Sequence, residues 1–318
     1  MECYEEYQGL GDKIISVMPL ITVLTPTYNR AHLLSRLYES LCHQTCKDFE
    51  WIIVDDGSAD NTKDIVERFI STCRSFLIKY YRKDNGGKHT AVNLGIKKAQ
   101  GELLFIADSD DMLPPDTIDI VAKEWLLVKG NKHIGGIAGL DINMKDGKLI
   151  GSGLPREHVD CNAIDIRYVY HVSGDLKEVF RTSVLREFPF PEIPDERFCP
   201  EQLNWFRIAQ KYDLHYINKP FYLVEYESDG LTAGITKVRM HSPIASMMTY
   251  AEMLRYDIPF KVKVKAAINY WRFRYCYRRT EDNKGVNIPK VSAIWSLAAP
   301  FGMLFHLKDK RAVGKKNK

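Results

Sequence analysis

An apolar run that ends in an acidic cluster is the feature that most constrains this chain. Residues 103–107 are apolar, follow Gly101 after one residue, and continue as Asp108-Ser109-Asp110-Asp111. Such a run predicts a buried strand that is covered by helices on both faces. Ligands of open α/β sheets bind beyond the carboxyl ends of the strands, so we expect the aspartates to face a ligand crevice.

The acidic cluster itself predicts a metal site. Three carboxylates within four residues repel one another, and a hard divalent cation with oxygen ligands, Mn²⁺ or Mg²⁺, is the usual way to relieve that repulsion. Asp110 is the first candidate ligand, together with Asp111. The alternative is a solvated acidic turn that precedes Pro114-Pro115.

Earlier segments repeat the pattern of apolar strand, polar loop and helix. Strands are predicted at 20–24, 51–54 and 76–81, and the helix after the first of them carries leucines at positions 33, 34, 37 and 41. Strands that alternate with helices of about ten to fifteen residues predict a mostly parallel, Rossmann-like sheet flanked by helices, an α/β fold. The first strand is expected to end before Pro26, because proline forbids helix and forces a loop.

After Pro114-Pro115 the alternation stops. The further predicted elements are a helix at 117–129, a strand at 135–140 followed by an Asp146-Gly147 hairpin turn, a helix at 201–210, and two short strands at 214–218 and 221–226. Residues 150–200 are rich in Pro and Gly. We therefore expect them to form irregular loops that close over the edge of the sheet and set specificity.

The composition excludes several classes of protein. With 318 residues and 45% hydrophobic content, the chain is globular and can bury a sizeable core. Its seven cysteines show no CxxC spacing, which argues against a disulfide framework or a zinc site and favours reduced thiols in a cytosolic setting. Residues 1–18 are interpreted as an N-terminal extension, because they carry four acidic residues and lack the apolar run of a signal peptide.

Charge is distributed unevenly along the chain. Residues 261–318 carry 15 Lys and Arg against 3 Asp and Glu, whereas the first 260 residues carry 30 against 38. A basic segment of this kind is expected at an anionic surface, and no helix-turn-helix, zinc or RNP signature favours nucleic acid over membrane lipid. Residues 291–307 lack formal charges but fall short of the ~20 apolar residues of a membrane span. We expect them to lie at the inner face of the cytoplasmic membrane, and the alternative is that these helices pack back on the main domain that precedes residue 236.

Four motifs in order carry a family resemblance. They are Pro26-Thr27-Tyr28-Asn29-Arg30, Val54-Asp55-Asp56-Gly57-Ser58, Asn85-Gly86-Gly87 with Asn93 and Gly95, and Asp108-Ser109-Asp110-Asp111. Together they resemble the signature of family 2 glycosyltransferases over residues 19–234. The resemblance implies a GT-A fold with a nucleotide-binding half at about 19–115 and an acceptor-binding half at about 116–235. A basic helical extension at 236–318 would follow.

The resemblance also implies roles for individual residues. The implied nucleotide contacts are Pro26, Thr27, Tyr28, Arg30, Asp56, Asp108 and Ser109, and the implied metal ligands are Asp110 and Asp111. At a strand end, the Asp56 carboxylate can accept a hydrogen bond from a uracil or guanine N–H, although either Asp55 or Asp56 is expected to serve in the turn instead. Lys88 is expected to contact phosphate, and an ordinary surface loop is the alternative.

A candidate general base follows from the same comparison. The family usually ends its catalytic half with a Glu-Asp pair, and the matching place here reads Cys199-Pro200-Glu201-Gln202. Glu201 is therefore the predicted base, because an amide such as Gln202 cannot accept a proton in the working pH range. The alternatives are that Glu201 only satisfies the start of a helix and that Asp195, Glu196 or Asp175 is the base. Residues 226–232 resemble the loop that commonly covers the product phosphates.

These features predict an inverting, metal-dependent hexosyltransferase. It would move a sugar from a nucleotide diphosphate, with a UDP-sugar expected, to a hydroxyl of a glycan or lipid-linked acceptor in bacterial surface-polysaccharide synthesis. One alternative is a sugar nucleotidyltransferase, but residues 25–30 lack the Gly-rich basic phosphate loop that such an enzyme uses. A second alternative is a non-catalytic nucleotide-sugar or glycan-binding module, which Gln202 makes plausible. The absence of GxGxxG after any predicted strand argues against a dinucleotide oxidoreductase.

Overall fold

The computed structural model describes residues 5–8, 18–225 and 234–316, with the side chains of 18–225 and 234–312. The chain divides into two compact units. One consists of the described residues of Met1–Pro189 and Ile208–Glu225, and the other of those of Phe190–Arg207 and Tyr226–Lys318. The domain boundaries suggested by the sequence, near 115 and 235, stay a prediction.

The elements follow one another in the chain as short strands and helices. The strands are β1 (Glu5–Gln8), β2 (Ile21–Thr27), β3 (Phe49–Asp55), β4 (Leu77–Arg82), β5 (Leu103–Ile106), β6 (Ile134–Asn143), β7 (His158–Cys161), β8 (Leu176–Arg181) and β9 (Asp213–Val224). The helices are α1 (Ala31–Cys42), α2 (Thr62–Thr72), α3 (Lys88–Lys98), α4 (Thr117–Val128), α5 (Asp165–Tyr168), α6 (Thr182–Glu187), α7 (Glu201–Ile208), α8 (Ile235–His241), α9 (Pro243–Met253), α10 (Phe260–Arg274) and α11 (Ala299–Lys316), with a 3-10 helix at Ala293–Ala298.

The strands of the first unit form one sheet in the order β1-β4-β3-β2-β5-β8-β6-β9-β7. Strands β4, β3, β2 and β5 are parallel neighbours, and they are the four strands that the alternation of strands and helices predicts. The α/β class is thus confirmed. Beyond β5 the sheet is mixed, because β8 runs antiparallel to both β5 and β6. The parallel block brings the carboxyl ends of β2, β3 and β5 to one edge.

Strand β2 continues through Pro26, so the prediction that it ends before this residue was wrong. On one side β2 pairs with β3 as far as Thr27, opposite Asp55. On the other side its pairing with β5 stops at Leu24, whose carbonyl accepts the N–H of Ala107. The missing N–H of Pro26 therefore faces a position where no ladder hydrogen bond is required, which makes proline acceptable in the strand.

Helix α1 shows how the apolar pattern builds the core. Leu34, Leu37 and Leu41 are fully buried against the sheet, as their spacing predicts. They belong to one core cluster with Trp51 of β3 and Trp125 of α4. Burial of each such side chain contributes about 1.5–3 kcal/mol, so this stripe holds the helix on the parallel block next to the site.

The region at 150–200 is more regular than the sequence suggests. The prediction of irregular loops was wrong, because this region contains β7, β8 and two short helices. Strand β8 lies inside the sheet between β5 and β6. The two short strands predicted at 214–218 and 221–226 are one strand, β9, whose pairing with β6 shifts register where Leu140 faces Pro220.

The second unit is helical. The carboxylate of Glu196 accepts the backbone N–H groups of Ile244 (2.6 Å) and Ala245 (2.8 Å) at the start of α9. Helices α10 and α11 are joined by an ion pair in which Arg272 Nη2 lies 2.8 Å from Asp309 Oδ1. None of the helices in the described part of the chain has the length and apolarity that crossing a membrane requires.

Candidate active site

The predicted nucleotide and metal residues lie at one edge of the parallel block. They follow or end β2, β3 and β5, or begin α3: Pro26, Thr27, Tyr28, Arg30, Asp56, Lys88, Asp108, Ser109, Asp110 and Asp111. The ring of Tyr28 is exposed. The hydroxyl of Thr27 is buried and makes no hydrogen bond with any described residue. Buried polar groups normally have a hydrogen-bond partner, so the Thr27 hydroxyl makes this edge suited to a polar ligand.

Two loops of this edge are fastened to each other. Asn29, which follows β2, has a positive φ of 52°. Its backbone N–H donates to Ser58 Oγ (2.9 Å), and its Oδ1 accepts the N–H of Ala59 (2.8 Å). Asparagine tolerates the left-handed conformation and bonds locally through its short amide. The loops after β2 and β3 therefore form one fixed wall beside the exposed ring of Tyr28.

Asp56 is the centre of a buried hydrogen-bond network. Its Oδ1 accepts the N–H of Gly86 (2.9 Å) and Lys83 Nζ (3.0 Å), and its Oδ2 accepts the N–H of Gly87 (2.7 Å) and Asn85 Nδ2 (3.1 Å). Asp56 thus ties the end of β3 to the glycine loop that precedes α3. Its predicted contact with a nucleotide base stays a prediction.

Asp55 takes the turn role that was expected of one of the two aspartates. Its Oδ1 accepts the N–H of Ser58 (2.8 Å), and its Oδ2 accepts Tyr80 Oη (2.6 Å). The neighbouring Gly57 has a φ of 83°, and a Cβ at this position would lie 2.9 Å from the backbone nitrogen of Asn85. The glycine of this motif is therefore required by both its conformation and its close approach to the next loop.

Replacing Asp56 by Asn should lower the stability of the first unit. The Asn amide would present N–H groups to donors that now bind a carboxylate, so at least one buried N–H would lose its partner, at a cost of about 1–3 kcal/mol. Thermal unfolding of the variant measures this. Asp84→Asn is the matched control, because Asp84 is an exposed acid of the same loop. Equal melting temperatures for both variants would contradict the structural role of Asp56.

The three carboxylates of the aspartate cluster after β5 differ in the direction of their pKa shifts. Burial raises the pKa of Asp108, but the charges of Lys88 and Lys177 outweigh it and leave that pKa below its usual value. Lys88 Nζ lies 2.6 Å from Asp108 Oδ1. Burial and then the charge of Asp108 raise the pKa of Asp110, and the same two causes raise that of Asp111 to about 7. The ionised forms of Asp110 and Asp111 are therefore disfavoured unless a further cation is present.

This arrangement fits a hard divalent cation. Carboxylate oxygens are the ligands that Mg²⁺ and Mn²⁺ prefer, and a dication would offset the repulsion that raises the pKa of Asp110 and Asp111. Lys88 neutralises Asp108 directly, so its ammonium is held at the cluster. Its predicted contact with phosphate stays a prediction.

Three residues that the sequence does not point to also shape the cluster. Tyr222 Oη of β9 accepts the N–H of Asp108 (2.8 Å) and donates to the carboxylate of Asp111. Lys177 Nζ of β8 lies 3.9 Å from the centroid of the Tyr222 ring. Arg36 of α1 donates to the carbonyl of Asp110 and to the carboxylate of Glu225. The cluster is thus held from three elements besides its own loop.

Comparison with known proteins identifies the domain that carries this edge. Residues 22–126 match the sequence model of the family described as Glycosyl transferase family 2. The chain contains a family 2 glycosyltransferase domain. It is 31% identical to a hyaluronan synthase of Pasteurella multocida over 151 residues, which are 47% of this chain and only 15% of the synthase. It is 29% identical to a GalNAc(5)-diNAcBac-PP-undecaprenol beta-1,3-glucosyltransferase of Campylobacter jejuni over 229 residues, 69% of either protein.

Solved structures share the fold of this chain. TarS of S. aureus in complex with UDP-GlcNAc is 21% identical, with a TM-score of 0.58 over 89% of this chain and 79% of that one. A mannosyltransferase of Pyrobaculum calidifontis in complex with GDP-Man and Mn²⁺ is 19% identical, with a TM-score of 0.54 over 91% and 74%. At this identity the likeness establishes the GT-A fold alone.

Glu201, the predicted base, is the first residue of α7 in the second unit, where it is half-buried. Of the alternatives, Glu196 has both carboxylate oxygens bound to backbone N–H groups of α9. Burial nevertheless raises the pKa of Glu196 to about 7, a value that suits a base. Asp195 and Asp175 are exposed. Residues 226–232, the predicted phosphate-covering loop, lie outside the described residues.

Proposed function

We propose that this chain is an inverting, metal-dependent glycosyltransferase that uses a nucleoside-diphosphate sugar. The observation that carries the proposal is the carboxylate cluster after β5, in which the pKa values of Asp110 and Asp111 are raised, at the carboxyl edge of a family 2 domain. The names of the relatives agree with it: one is a glucosyltransferase that acts on an undecaprenol-linked glycan, and solved relatives of the fold hold UDP-GlcNAc or GDP-Man with Mn²⁺.

The donor would bind along the edge formed by the loops after β2, β3 and β5. The exposed ring of Tyr28 offers a stacking surface for a base, and the buried hydroxyl of Thr27 offers a polar partner. Asp110 and Asp111 would hold the divalent cation. When bound there, the cation would stabilise the negative charge that grows on the diphosphate as the sugar bond breaks.

Glu201 would supply the base of the reaction. In a single displacement, the acceptor hydroxyl oxygen forms a bond to the anomeric carbon while the bond from that carbon to the phosphate oxygen breaks. The acceptor proton passes to the Glu201 carboxylate, and the nucleoside diphosphate leaves with the electron pair. One displacement inverts the configuration of the anomeric carbon, which is why a base and not a nucleophile is required.

A panel of nucleotide sugars tests the proposal against its alternatives. We expect UDP-sugars, tried beside GDP-Man, to raise the melting temperature only when Mn²⁺ is present, and we expect slow release of UDP without an acceptor. A nucleotidyltransferase would instead release pyrophosphate from a nucleoside triphosphate and a sugar phosphate. A binding module would be stabilised by the sugar nucleotide but would release no nucleoside diphosphate over any length of incubation.

We infer in addition that the C-terminal helices attach the enzyme to an anionic membrane surface, where a lipid-linked acceptor would lie. Helix α11 turns its small and polar residues inward: a Cβ on Gly302 would lie 2.6 Å from Trp271 Cβ, and Asp309 pairs with Arg272. Its large apolar residues point to solvent instead. This apolar face consists of Phe301, Leu304 and Phe305 of α11 with Ile294 and Leu297 of the preceding 3-10 helix, each between 45% and 78% exposed.

The apolar face has the features of an interfacial helix. Exposed apolar residues at helical spacing with basic residues beside them suit the boundary between headgroups and acyl chains, and Lys308, Lys310 and Arg311 follow directly. Near an anionic bilayer each such basic residue contributes about 1 kcal/mol. One face of α11 is buried on α10 and the other is exposed, so the apolar face is open to a membrane surface.

Replacing Phe301 and Leu304 together by Glu should release the protein from vesicles that contain anionic lipid. Each apolar side chain contributes about 1.5–3 kcal/mol when buried, so binding should weaken at least tenfold. Vesicle co-sedimentation measures this. Leu127→Glu is the matched control, because Leu127 on α4 of the other unit is 74% exposed. Unchanged sedimentation of the double variant, or an equal loss in the control, would contradict the proposal.

A further inference from the structure

Three side chains of the kinds that bind metal ions converge away from the edge that the loops after β2, β3 and β5 form. They are Glu124 of α4, His158 of β7 and His215 of β9, and one ligand atom from each lies within 4.8 Å of the others. Glu124 Oε2 is 3.4 Å from His158 Nε2 and 3.7 Å from His215 Nε2. The three residues belong to the same compact unit but to different elements, so only the fold brings them together.

Two of these ligand atoms are buried without hydrogen-bond partners. Glu124 is 5% exposed and His215 is 6% exposed. Within the described part of the chain, neither Glu124 Oε2 nor His215 Nε2 makes a hydrogen bond. Their separation of 3.7 Å is too long for a hydrogen bond. It is close to the roughly 3.3–3.5 Å that separates the ligand atoms of a tetrahedral zinc ion with bonds of about 2.0–2.2 Å.

The remaining polar atoms of both buried residues are already oriented. His215 Nδ1 lies 2.6 Å from Asp160 Oδ1, and Lys219 Nζ donates to Glu124 Oε1 (2.7 Å). A carboxylate only accepts, so the hydrogen bond to Asp160 requires a proton on Nδ1, and Nε2 is the nitrogen that faces Glu124 and can offer a lone pair to a metal ion. A histidine that is held by a carboxylate and offers its other nitrogen is the usual arrangement around protein-bound zinc.

We propose that Glu124, His158 and His215 bind one zinc ion. Imidazole nitrogens favour zinc over Mg²⁺ or Mn²⁺, which prefer oxygen ligands, so this site differs in chemistry from the aspartate cluster. It also differs in place. His215 and Tyr222, which contacts the cluster, are seven positions apart on β9, and at ~3.3 Å per residue this is roughly 23 Å.

The zinc ion would fasten the outer edge of the sheet. Strand β7 has only four residues and is the last strand of the sheet, where it pairs with β9. The side chain of His158 is 41% exposed, so water has access to the fourth position of the ion. A zinc ion there would join β7 to β9 and to α4. The expected consequence is greater thermal stability of the first unit, independent of nucleotide binding.

The test uses the purified full chain, stripped with a chelator and returned to buffer with excess Mg²⁺, which occupies oxygen sites but competes weakly for imidazole. Cobalt is then titrated as a spectroscopic probe, and zinc is measured by elemental analysis and by its effect on the melting temperature. We expect one cobalt ion per chain with the visible absorption of a tetrahedral site, and a higher melting temperature with zinc.

Variants assign the binding to these residues. His158→Gln and Glu124→Gln should lose the cobalt spectrum and the zinc-dependent rise in melting temperature, and Asp160→Asn should weaken zinc binding about 10–100-fold. His43→Gln, which changes an exposed histidine directly after α1, is the matched control and should behave as the parent. His158→Gln changes a partly exposed side chain, so its folding is readily checked.

Two results would overturn the proposal. One is a parent protein that binds no zinc above the background of a protein-free buffer and shows no thermal shift. The other is a parent spectrum that persists in both His158→Gln and Glu124→Gln. In either case Glu124 and the two histidines would be a metal-free polar cluster. Neither result bears on the glycosyltransferase proposal, which rests on the separate aspartate cluster.

Discussion

Asp110→Asn should reduce sugar transfer by about 100-fold or more at a fixed Mn²⁺ concentration. The substitution keeps the shape of the side chain but removes one charge from the proposed cation site. A bound cation supplies several kcal/mol of stabilisation to the leaving diphosphate, and each ~1.4 kcal/mol corresponds to a tenfold change in rate. Raising the Mn²⁺ concentration should restore part of the activity. Rates of UDP release as a function of Mn²⁺ measure both effects.

The same substitution should not destabilise the fold when metal is absent. Burial and Asp108 raise the pKa of Asp110, so the folded state favours the neutral form of this group. The contribution of Asp110 to the free energy of unfolding is therefore largest below the pKa that this group has in the unfolded chain. It is lost as the pH rises through the higher pKa that the group has in the folded state. Above that raised pKa the ionised carboxylate costs stability, and Asn removes that cost. We expect an unchanged or higher melting temperature together with lost activity.

Asp116→Asn provides the matched control for this experiment. Asp116 is an exposed aspartate that precedes α4, and its side chain makes no capping hydrogen bond. Its neutralisation changes the net charge by the same amount without touching the cluster, so transfer should proceed at the parent rate. Metal-independent and undiminished transfer by Asp110→Asn would show that the cation is not held at Asp110.

The parts of the site that the sequence predicts are those built by local rules. An apolar run followed by polar residues marks the carboxyl end of a strand, and alternation with helices makes neighbouring strands parallel. These two rules are enough to bring the loops after β2, β3 and β5 to one edge. The stripe of leucines on α1 follows in the same way from a period of 3.6 residues.

The parts that the sequence does not predict depend on pairing between distant segments. Strand β8 lies between β5 and β6, so its neighbours are set by contacts and not by order along the chain. Because the sequence does not predict β8, it also does not predict the role of Lys177, whose charge acts on Asp108 and Asp111. Tyr222 was assigned to a strand, but its contact with Asp108 spans 114 residues and has no local signal.

The proposed zinc site shows the same limit more sharply. Its ligands are separated by 34 and 57 residues, and neither histidine belongs to a recognisable metal motif. Cysteine spacing bears on closed cysteine sites and not on a Glu-His set that is assembled by tertiary structure. What reveals the cluster is the burial of two polar atoms without partners, a property that only coordinates provide.

Glu201→Gln should lower the rate of transfer by about 10²–10⁴-fold while leaving donor binding intact. The amide keeps the size of the side chain but cannot accept the proton of the attacking hydroxyl. If Glu201 served only the start of α7, the loss would be limited to about 0.3–1 kcal/mol of stability from a charge near a helix N-terminus. Single-turnover transfer, donor titration and thermal unfolding, measured on the same preparation, separate these two roles.

Comparison with the neighbouring acids decides whether the base is Glu201. Asp195→Asn and Asp175→Asn change exposed carboxylates and should leave the rate and its pH dependence as in the parent. Glu196→Gln should instead lower the melting temperature, because its two oxygens accept N–H groups at the start of α9 and an amide can satisfy only one of them.

A pH profile makes the assignment independent of the absolute rate. Transfer by the parent should rise with pH as its base loses a proton, and this limb should disappear in Glu201→Gln because no titrating group remains to accept the acceptor proton. A purely structural role for Glu201 would lower the whole curve and keep its shape. If Glu201→Gln binds the donor normally, transfers within threefold of the parent rate and keeps the acidic limb, the base is another acid. The acid whose variant loses that limb then takes the role.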